Sequence, residues 1–301
     1  MKILITGGSG FVGSRLANLY KEKYEVWAPS HQEFDFTEFS AARSGIERFR
    51  PDVLLHCAAI SDVGTCEKNP ELSMKVNVTG TKNLAECCAE SGIKFVYCSS
   101  DQVYVRQPYP GESKETYLEP WKEEDAQDPA PLYGKHKLLA EQLCQQICPD
   151  SVGLRLTWMY GTLTEKEASA GRRNMEVILR EAIEKGQQIT LSATDFRAVT
   201  DIEEVVRNME KAWQLPGGVY NYGSTACGPI YDTVCQAFEK AGIRVTESGT
   251  DTSGESGVQI LKNESGNLRN LTMNTDKLRA SGISFDDTKT ALVRCICRII
   301  A

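Results

Sequence analysis

The chain has 301 residues, 41% hydrophobic and 25% charged, with a formal net charge of −7. That length is enough for a full core in one large or two smaller domains, and the acidic balance argues against a nucleic-acid partner. No stretch approaches the roughly 18 apolar residues of a membrane span. The opening Lys2-Ile3-Leu4-Ile5-Thr6 is too short for a secretory h-region, and the eleven cysteines contain no C-x-x-C pair. They read as reduced core residues of a cytoplasmic protein with no metal role.

In chain order, Lys2–Thr6 is an apolar strand ending in glycines, and Phe11–Glu22 follows with helical periodicity. Glu25–Ala28, Asp52–Cys57 and Ile93–Cys98 are further strands, with Leu72–Ser91 a long helix between the last two. Arg106–Pro131 is a polar loop with five prolines. A helix carrying Tyr133 and Lys137 leads to a strand at Val152–Leu156. This alternation predicts an α/β fold with a doubly wound parallel sheet. Beyond Gly161 the spacing predicts a mobile loop over Thr162–Arg173, helices over Met175–Lys185, Glu203–Gln214, Ile230–Ala241 and Asp286–Ile300, and a short strand at Val219–Asn221. Thr246–Gly266, rich in Gly, Ser and Thr, is expected to be an exposed loop.

Three local patterns point to chemistry. Gly7-Gly8-Ser9-Gly10-Phe11-Val12-Gly13 sits between a strand and a helix, where glycines let the backbone approach a pyrophosphate at the helix N-terminus. The end of the second strand, Trp27-Ala28-Pro29-Ser30-His31, lacks the acid that usually binds ribose hydroxyls in NAD sites. Arg15, with Ser30 or His31 helping, is therefore expected to meet a 2′-phosphate, which favours NADP(H) and leaves NAD(H) open. Ser100 and Asp101 leave the fourth strand at its carboxyl end, where open α/β sheets bind ligands. Tyr133 and Lys137 stand four residues apart on one helical face, where an ammonium would lower a phenol's pKa from about 10.

Together these motifs resemble the extended short-chain dehydrogenase/reductase superfamily. The glycine loop, Asp35-Phe36, His56-Cys57-Ala58-Ala59, Asn77-Val78-Thr79-Gly80-Thr81, Ser99-Ser100-Asp101 and Tyr133 with Lys137 occur in that family's order. Within it, Ser99–Tyr104, Arg155–Gly161 and Met273–Leu278 are most similar to dTDP-4-dehydrorhamnose reductases. Where those enzymes have an Arg-Pro pair, this chain reads Gly266-Asn267-Leu268-Arg269.

The resemblance implies a Rossmann domain over residues 1–160. Residues 161–301 would form a smaller C-terminal α/β substrate-binding part, with some segments returning to the Rossmann core. It implies cofactor contacts from Gly7, Gly10, Phe11, Val12, Gly13, Arg15, Ser30, His31, Asp35, Phe36, Cys57, Ala58, Ala59, Asn77, Tyr133 and Lys137. Ser100, Tyr133, Lys137 and Asp101 would carry the chemistry. Asn174, Arg197 and Tyr231 are the expected contacts to a nucleotide-sugar substrate. The implied activity is reduction of a sugar keto group by NADP(H), in a protein that could be a homodimer. An epimerase or dehydratase, or an NADP-binding regulatory subunit without turnover, are the alternatives.

Overall fold

The computed structural model describes residues 1–246 and 257–301. Its strands are β1 (Lys2–Thr6), β2 (Glu25–Trp27), β3 (Val53–His56), β4 (Lys94–Ser100), β5 (Val152–Leu156), β6 (Trp158–Tyr160), β7 (Ile189–Ser192), β8 (Asp195–Arg197), β9 (Val199–Asp201), β10 (Gly218–Tyr222), β11 (Val245–Thr246), β12 (Val258–Asn263) and β13 (Arg269–Leu271). Six of them form one parallel sheet in the order β10-β5-β4-β3-β1-β2. The α/β class and parallel sheet expected from the alternation are therefore present. The chain reverses its direction of winding between β1 and β3, and the carboxyl ends of these strands face the glycine loop. Such a switch point is where open α/β sheets bind ligands.

Side-chain alternation divides the sheet into two packed faces. Ile3, Ile5, Leu55, Val96, Leu154 and Tyr222 meet the helices Phe11–Tyr20 and Ile202–Ala212 on one face. Leu4, Leu54, Phe95 and Tyr97 meet Phe39–Phe49, Thr81–Ser91 and Leu132–Ile147 on the other. A second core gathers Leu179, Ile189, Val234, Phe238, Ile260 and Leu292. Strand β10 and helix Ile202–Ala212, both late in the chain, belong to the first core.

Several elements differ from the sequence reading. The helix expected over Leu72–Ser91 is three pieces: Pro70–Ser73, a π-helical stretch Met74–Gly80, and Thr81–Ser91. Helix Phe39–Phe49 was not foreseen. Thr162–Arg173, expected to be mobile, contains the helix Glu165–Ser169. Its capping box pairs Thr164 with Glu167, a T-x-x-E signature legible in the sequence. Within Arg106–Pro131, the Arg106 guanidinium pairs with both Glu112 carboxylate oxygens at 2.7 Å and lies 4.0 Å from the Tyr109 ring centroid, so this loop has a built interior. Of the stretch Thr246–Gly266, Val258–Asn263 is strand β12, paired in parallel with β7, and residues 247–256 lie outside the described residues.

One buried polar chain supports the floor of the site. His56, at the end of β3, has Nδ1 2.7 Å from Thr6 Oγ1 and Nε2 2.9 Å from Thr81 Oγ1. Thr81 donates its own proton to the Asn77 carbonyl, so Nε2–H is the donor toward Thr81 and Nδ1 accepts from Thr6. Burial holds the imidazole neutral and pushes its pKa down to about 3, with the Lys137 charge adding to the effect. The unfolded imidazole takes up a proton near pH 6.5, while the folded one stays neutral to about pH 3. Acid therefore favours the unfolded chain. The stability this group contributes is full above pH 6.5 and falls as the pH drops toward 3. Urea unfolding between pH 6 and pH 4 should show a component of about 1.4 kcal/mol per pH unit that disappears in His56→Asn. An unchanged slope in that variant would contradict the assignment.

Candidate active site

The glycine loop is held by close approaches that a side chain would block. Gly7 has φ +71°, and a Cβ there would lie 2.7 Å from the Ala58 nitrogen. A Cβ on Gly13 would lie 2.3 Å from the Gly7 carbonyl oxygen. Gly10 N–H donates to that same carbonyl at 2.8 Å, and Gly10 caps helix Phe11–Tyr20 without a side-chain acceptor. The N–H groups of the first turn are thus left for a ligand anion, and the cradle fits a dinucleotide pyrophosphate.

Cys57, Ala58 and Ala59 line the end of β3 beside Gly7, partly exposed. Asn77 is fully buried: its Oδ1 accepts from Ile60 N at 2.9 Å, and its Nδ2 donates to Ile60 O at 3.0 Å. This side chain is spent on clamping the loop at Ile60. Phe36 is likewise a core residue, edge-on to His56, whereas Asp35 is exposed and caps its own turn through Thr37.

Around the expected 2′-phosphate position the structure departs from the sequence reading. Arg15 is bidentate on Glu167, with Nη1 2.9 Å from Oε1 and Nη2 3.0 Å from Oε2, and Nη2 also donates to Thr162 O at 2.6 Å. Its guanidinium lies 4.1 Å from the Phe11 centroid, with Arg172 at 4.9 Å from that ring. Arg15 therefore straps residues 162–167 onto the first helix. Ser30 donates from N and Oγ to Glu33, at 2.9 and 2.8 Å, and His31 is exposed.

The helix Leu132–Ile147 carries Tyr133 and Lys137 on one face, and Glu141 follows one turn later. Glu141 forms a buried ion pair with Arg155 of β5, Nη2 to Oε2 at 2.7 Å, both side chains only 3% exposed. Arg155 Nη1 donates to the Tyr104 hydroxyl at 2.5 Å, which donates in turn to Asn221 Oδ1 at 2.8 Å. Ser99 Oγ donates to the same Glu141 carboxylate. The helix is thereby fixed to β4, β5 and β10 at once. Lys137 Nζ donates to the Cys98 carbonyl at 2.9 Å.

Ser100 stands close enough to Tyr133 to act on its phenol, and its Oγ donates to Asp101 Oδ1 at 3.2 Å. The Tyr133 pKa moves opposite to the sequence expectation. Burial pushes the phenol above its ordinary value, Ser100 pulls against it, and the Asp101 and Cys98 charges add to the rise. Lys137, 5.9 Å from the ring centroid and itself pushed down by burial, does not reverse this. The phenol is a stored proton at neutral pH, as a proton donor requires.

Asp101 is 3% exposed, its Oδ2 has no hydrogen-bond partner among the described residues, and burial raises its pKa against the pull of Arg197. Arg197 Nε is 3.0 Å from Asp195 Oδ2, and its guanidinium lies 5.5 Å from the Trp158 centroid. That approach is an ion pair rather than an aligned hydrogen bond, since Nε makes none among the described residues. Arg269 of β13 holds Asp195 through both oxygens at 2.9 and 2.6 Å. The other two expected substrate residues are otherwise engaged. Asn174 caps helix Met175–Lys185, accepting from Val177 N at 3.1 Å and donating to Gly161 O at 2.7 Å. Tyr231 is buried in the second core.

Sequence reasoning did not single out Glu141, Trp158 or Arg269 for the site. Glu141 was recoverable as the next residue along the Tyr133–Lys137 face. Arg155 was recoverable as a lone charge in an apolar strand, which needs a buried partner.

With this geometry in place, the comparisons with known proteins are specific. Residues 1–296 match the family described as RmlD substrate binding domain. The chain belongs to that family. The dTDP-4-dehydrorhamnose reductase of Salmonella typhimurium is 27% identical over 292 residues, covering 93% of this chain and 91% of that one. The methionine adenosyltransferase 2 subunit beta of Danio rerio is 28% identical over 250 residues, covering 78% and 72%. The crystal structure of the Bacillus anthracis dTDP-4-dehydrorhamnose reductase in complex with NADP superposes with a TM-score of 0.79 at 20% identity, covering 99% of this chain and 98% of that one. Among the described residues no helix is long and apolar enough to cross a membrane, and no group of acidic, His and Cys side chains is arranged to hold a metal ion.

Removing Glu141 from this RmlD-family site would leave Arg155 charged, buried and unpaired. Glu141→Ala should cost about 3–5 kcal/mol of unfolding free energy in urea titrations. The double variant Glu141→Ala with Arg155→Met should recover much of that loss. Gly134→Ala, whose Cβ would lie 2.4 Å from the Gln102 carbonyl oxygen, should lift the Tyr133 helix from the Asp101–Tyr104 turn at a cost of about 1–3 kcal/mol.

Proposed function

We propose that this protein is an NADP(H)-dependent reductase of a keto group on a nucleotide-linked sugar, with a dTDP-4-dehydrorhamnose-like substrate. The observation that carries this reading is Tyr133 beside Ser100 at the carboxyl end of β4, with Lys137 one turn along and the glycine cradle at the carboxyl end of β1 in the same sheet. The Salmonella relative, similar over nearly the whole chain, supports the substrate class. The NADP in the Bacillus anthracis structure supports the cofactor. Arg15 must leave Glu167 to meet a 2′-phosphate.

NADPH bound in the cradle would supply the hydride for the carbonyl carbon. Tyr133 gives its phenolic proton to the carbonyl oxygen as negative charge develops there. Ser100 donates a hydrogen bond to that same oxygen, which orients the carbonyl and stabilises the charge. Lys137 keeps a positive charge near the phenolate left on Tyr133. Asp101 holds the Ser100 side of the site, and Arg197 offers a planar cation to the substrate's phosphates. The segments after Gly161 supply the substrate side, with β10 and helix Ile202–Ala212 returning to the sheet.

Tyr133→Phe should lower kcat for NADPH oxidation with dTDP-4-dehydrorhamnose by about 10²–10⁴, while the NADPH dissociation constant from fluorescence titration changes little. Wild-type turnover in that variant would remove Tyr133 from the mechanism. The similarity to the Danio rerio protein, a subunit of methionine adenosyltransferase 2 by name, favours a second reading, a non-catalytic subunit. No NADPH oxidation by the wild-type protein with any 4-keto sugar nucleotide in a panel, despite tight NADPH binding, would select it.

A further inference from the structure

Two cysteines meet under the dinucleotide cradle. In the parallel pairing of β3 with β4, His56 lies opposite Tyr97, so the next residues, Cys57 and Cys98, are neighbours across the strands. Their Sγ atoms are 3.8 Å apart and share a hydrogen bond. Both side chains lie on the sheet face that carries the first helix, both are partly exposed, and both cysteines are free. Neighbouring strands run about 4.8 Å apart, inside the roughly 4.4–6.8 Å Cα separation that a disulfide spans. Closing the sulfurs from 3.8 Å to bonding distance therefore takes side-chain rotation and a small shift of the strand ends toward each other.

The surroundings make the pair asymmetric. The shared hydrogen bond, helped by the Lys137 ammonium, draws the Cys98 thiol below its ordinary range, whereas that bond and burial push Cys57 up. With the proton of the shared hydrogen bond on Cys57, Cys98 is the thiolate-forming member and Cys57 the resolving one.

We propose that Cys57 and Cys98 form a reversible disulfide, a redox modification site that closes the dinucleotide cradle to its cofactor. With a hydroperoxide as oxidant, the Cys98 thiolate attacks the peroxide oxygen, the O–O bond breaks, and a sulfenic acid forms as the leaving oxygen takes up the proton Cys98 released and departs as one water (or alcohol). The Cys57 sulfur then attacks the Cys98 sulfur, the S–O bond breaks, and a second water leaves with the Cys57 proton. Two thiols are oxidised by two electrons and one peroxide is reduced. The effect on the cofactor follows from position. Cys57 precedes Ala58, and a Cβ on Gly7 would already sit 2.7 Å from Ala58 N, so a shift of the β3 end toward β4 is felt directly at the phosphate loop.

The inference rests on the dinucleotide reading of the glycine loop for its consequence, and on the sulfur geometry alone for the bond. The test treats the full-length protein with hydrogen peroxide, blocks remaining thiols, and maps peptides by mass spectrometry, with NADPH titrated by fluorescence before and after. A Cys57–Cys98 linked peptide is expected, with at least a tenfold rise in the NADPH dissociation constant that dithiothreitol reverses. Cys98→Ser, compared with its own untreated form, should lose both the linked peptide and the peroxide sensitivity. Cys227→Ser, which removes an exposed thiol, should keep both. Prior saturation with NADPH should slow the linkage. Absence of the linked peptide under conditions that oxidise Cys227 and Cys297 overturns the proposal, as does a linked peptide with unchanged NADPH affinity. A protein that forms the linkage but never binds NADPH instead overturns the dinucleotide reading.

Discussion

The buried pair of Glu141 and Arg155 decides where the Tyr133 helix stands, and the site inherits its geometry from that placement. Both charges are 3% exposed, so each depends on the other for its solvation. Glu141 is tied to three strands: to Ser99 of β4, to Arg155 of β5 and, through Arg155 and Tyr104, to Asn221 of β10. Asn221 in turn donates to the carbonyls of Trp121 and Asn274 at 2.8 and 2.9 Å. One network therefore ties the helix, the end of the sheet and the long 106–131 segment together. An apolar contact of the same area would hold the helix but would not fix its rotation. Rotation is what places Tyr133 against Ser100 and Lys137 on the Cys98 carbonyl.

Burial also sets the electrostatics of the site. It raises Tyr133 and Asp101 and lowers Lys137, Arg197 and His56, in each case against the charged form. The folded site thus favours a protonated phenol and keeps its neutral imidazole floor intact. Hydrogen bonds and neighbouring charges then oppose burial selectively: Ser100 for Tyr133, Arg197 for Asp101, Asp195 for Arg197. The resulting set has a proton donor beside a hydroxyl, with a carboxylate and a guanidinium on the far side. This arrangement suits delivery of a proton to a carbonyl oxygen on an anionic substrate.

The chain beyond Gly161 has two roles. The Arg15–Glu167 pair and the Asn174 cap close it down on the first helix and on Gly161, giving it fixed contact with the helix that follows the glycine loop. The Asp195–Arg269 and Asp195–Arg197 pairs build a charged wall next to Asp101. Arg269 occupies the stretch where the resembling reductases carry an Arg-Pro pair. Here its guanidinium is held by Asp195 on the neighbouring strand, β8.

By itself the sequence determined what depends on local spacing. The glycine loop between strand and helix, the Tyr133–Lys137 face and the strand–helix alternation each lie within one element or one turn, so period and residue type suffice. The family resemblance followed from the same local motifs. Tertiary structure decided what depends on partners far along the chain. Arg15 looked free for a phosphate because Glu167 is 152 residues away. Asn174 looked like a ligand because its partners, Gly161 O and Val177 N, are set by a helix start and a returning loop. The direction of the Tyr133 shift was also invisible to spacing. A cation four residues away lowers a phenol in water, but burial, which only the assembled sheet and helices supply, outweighs it. The Cys57–Cys98 contact belongs to the same class, since parallel register rather than spacing brings two residues 41 positions apart side by side.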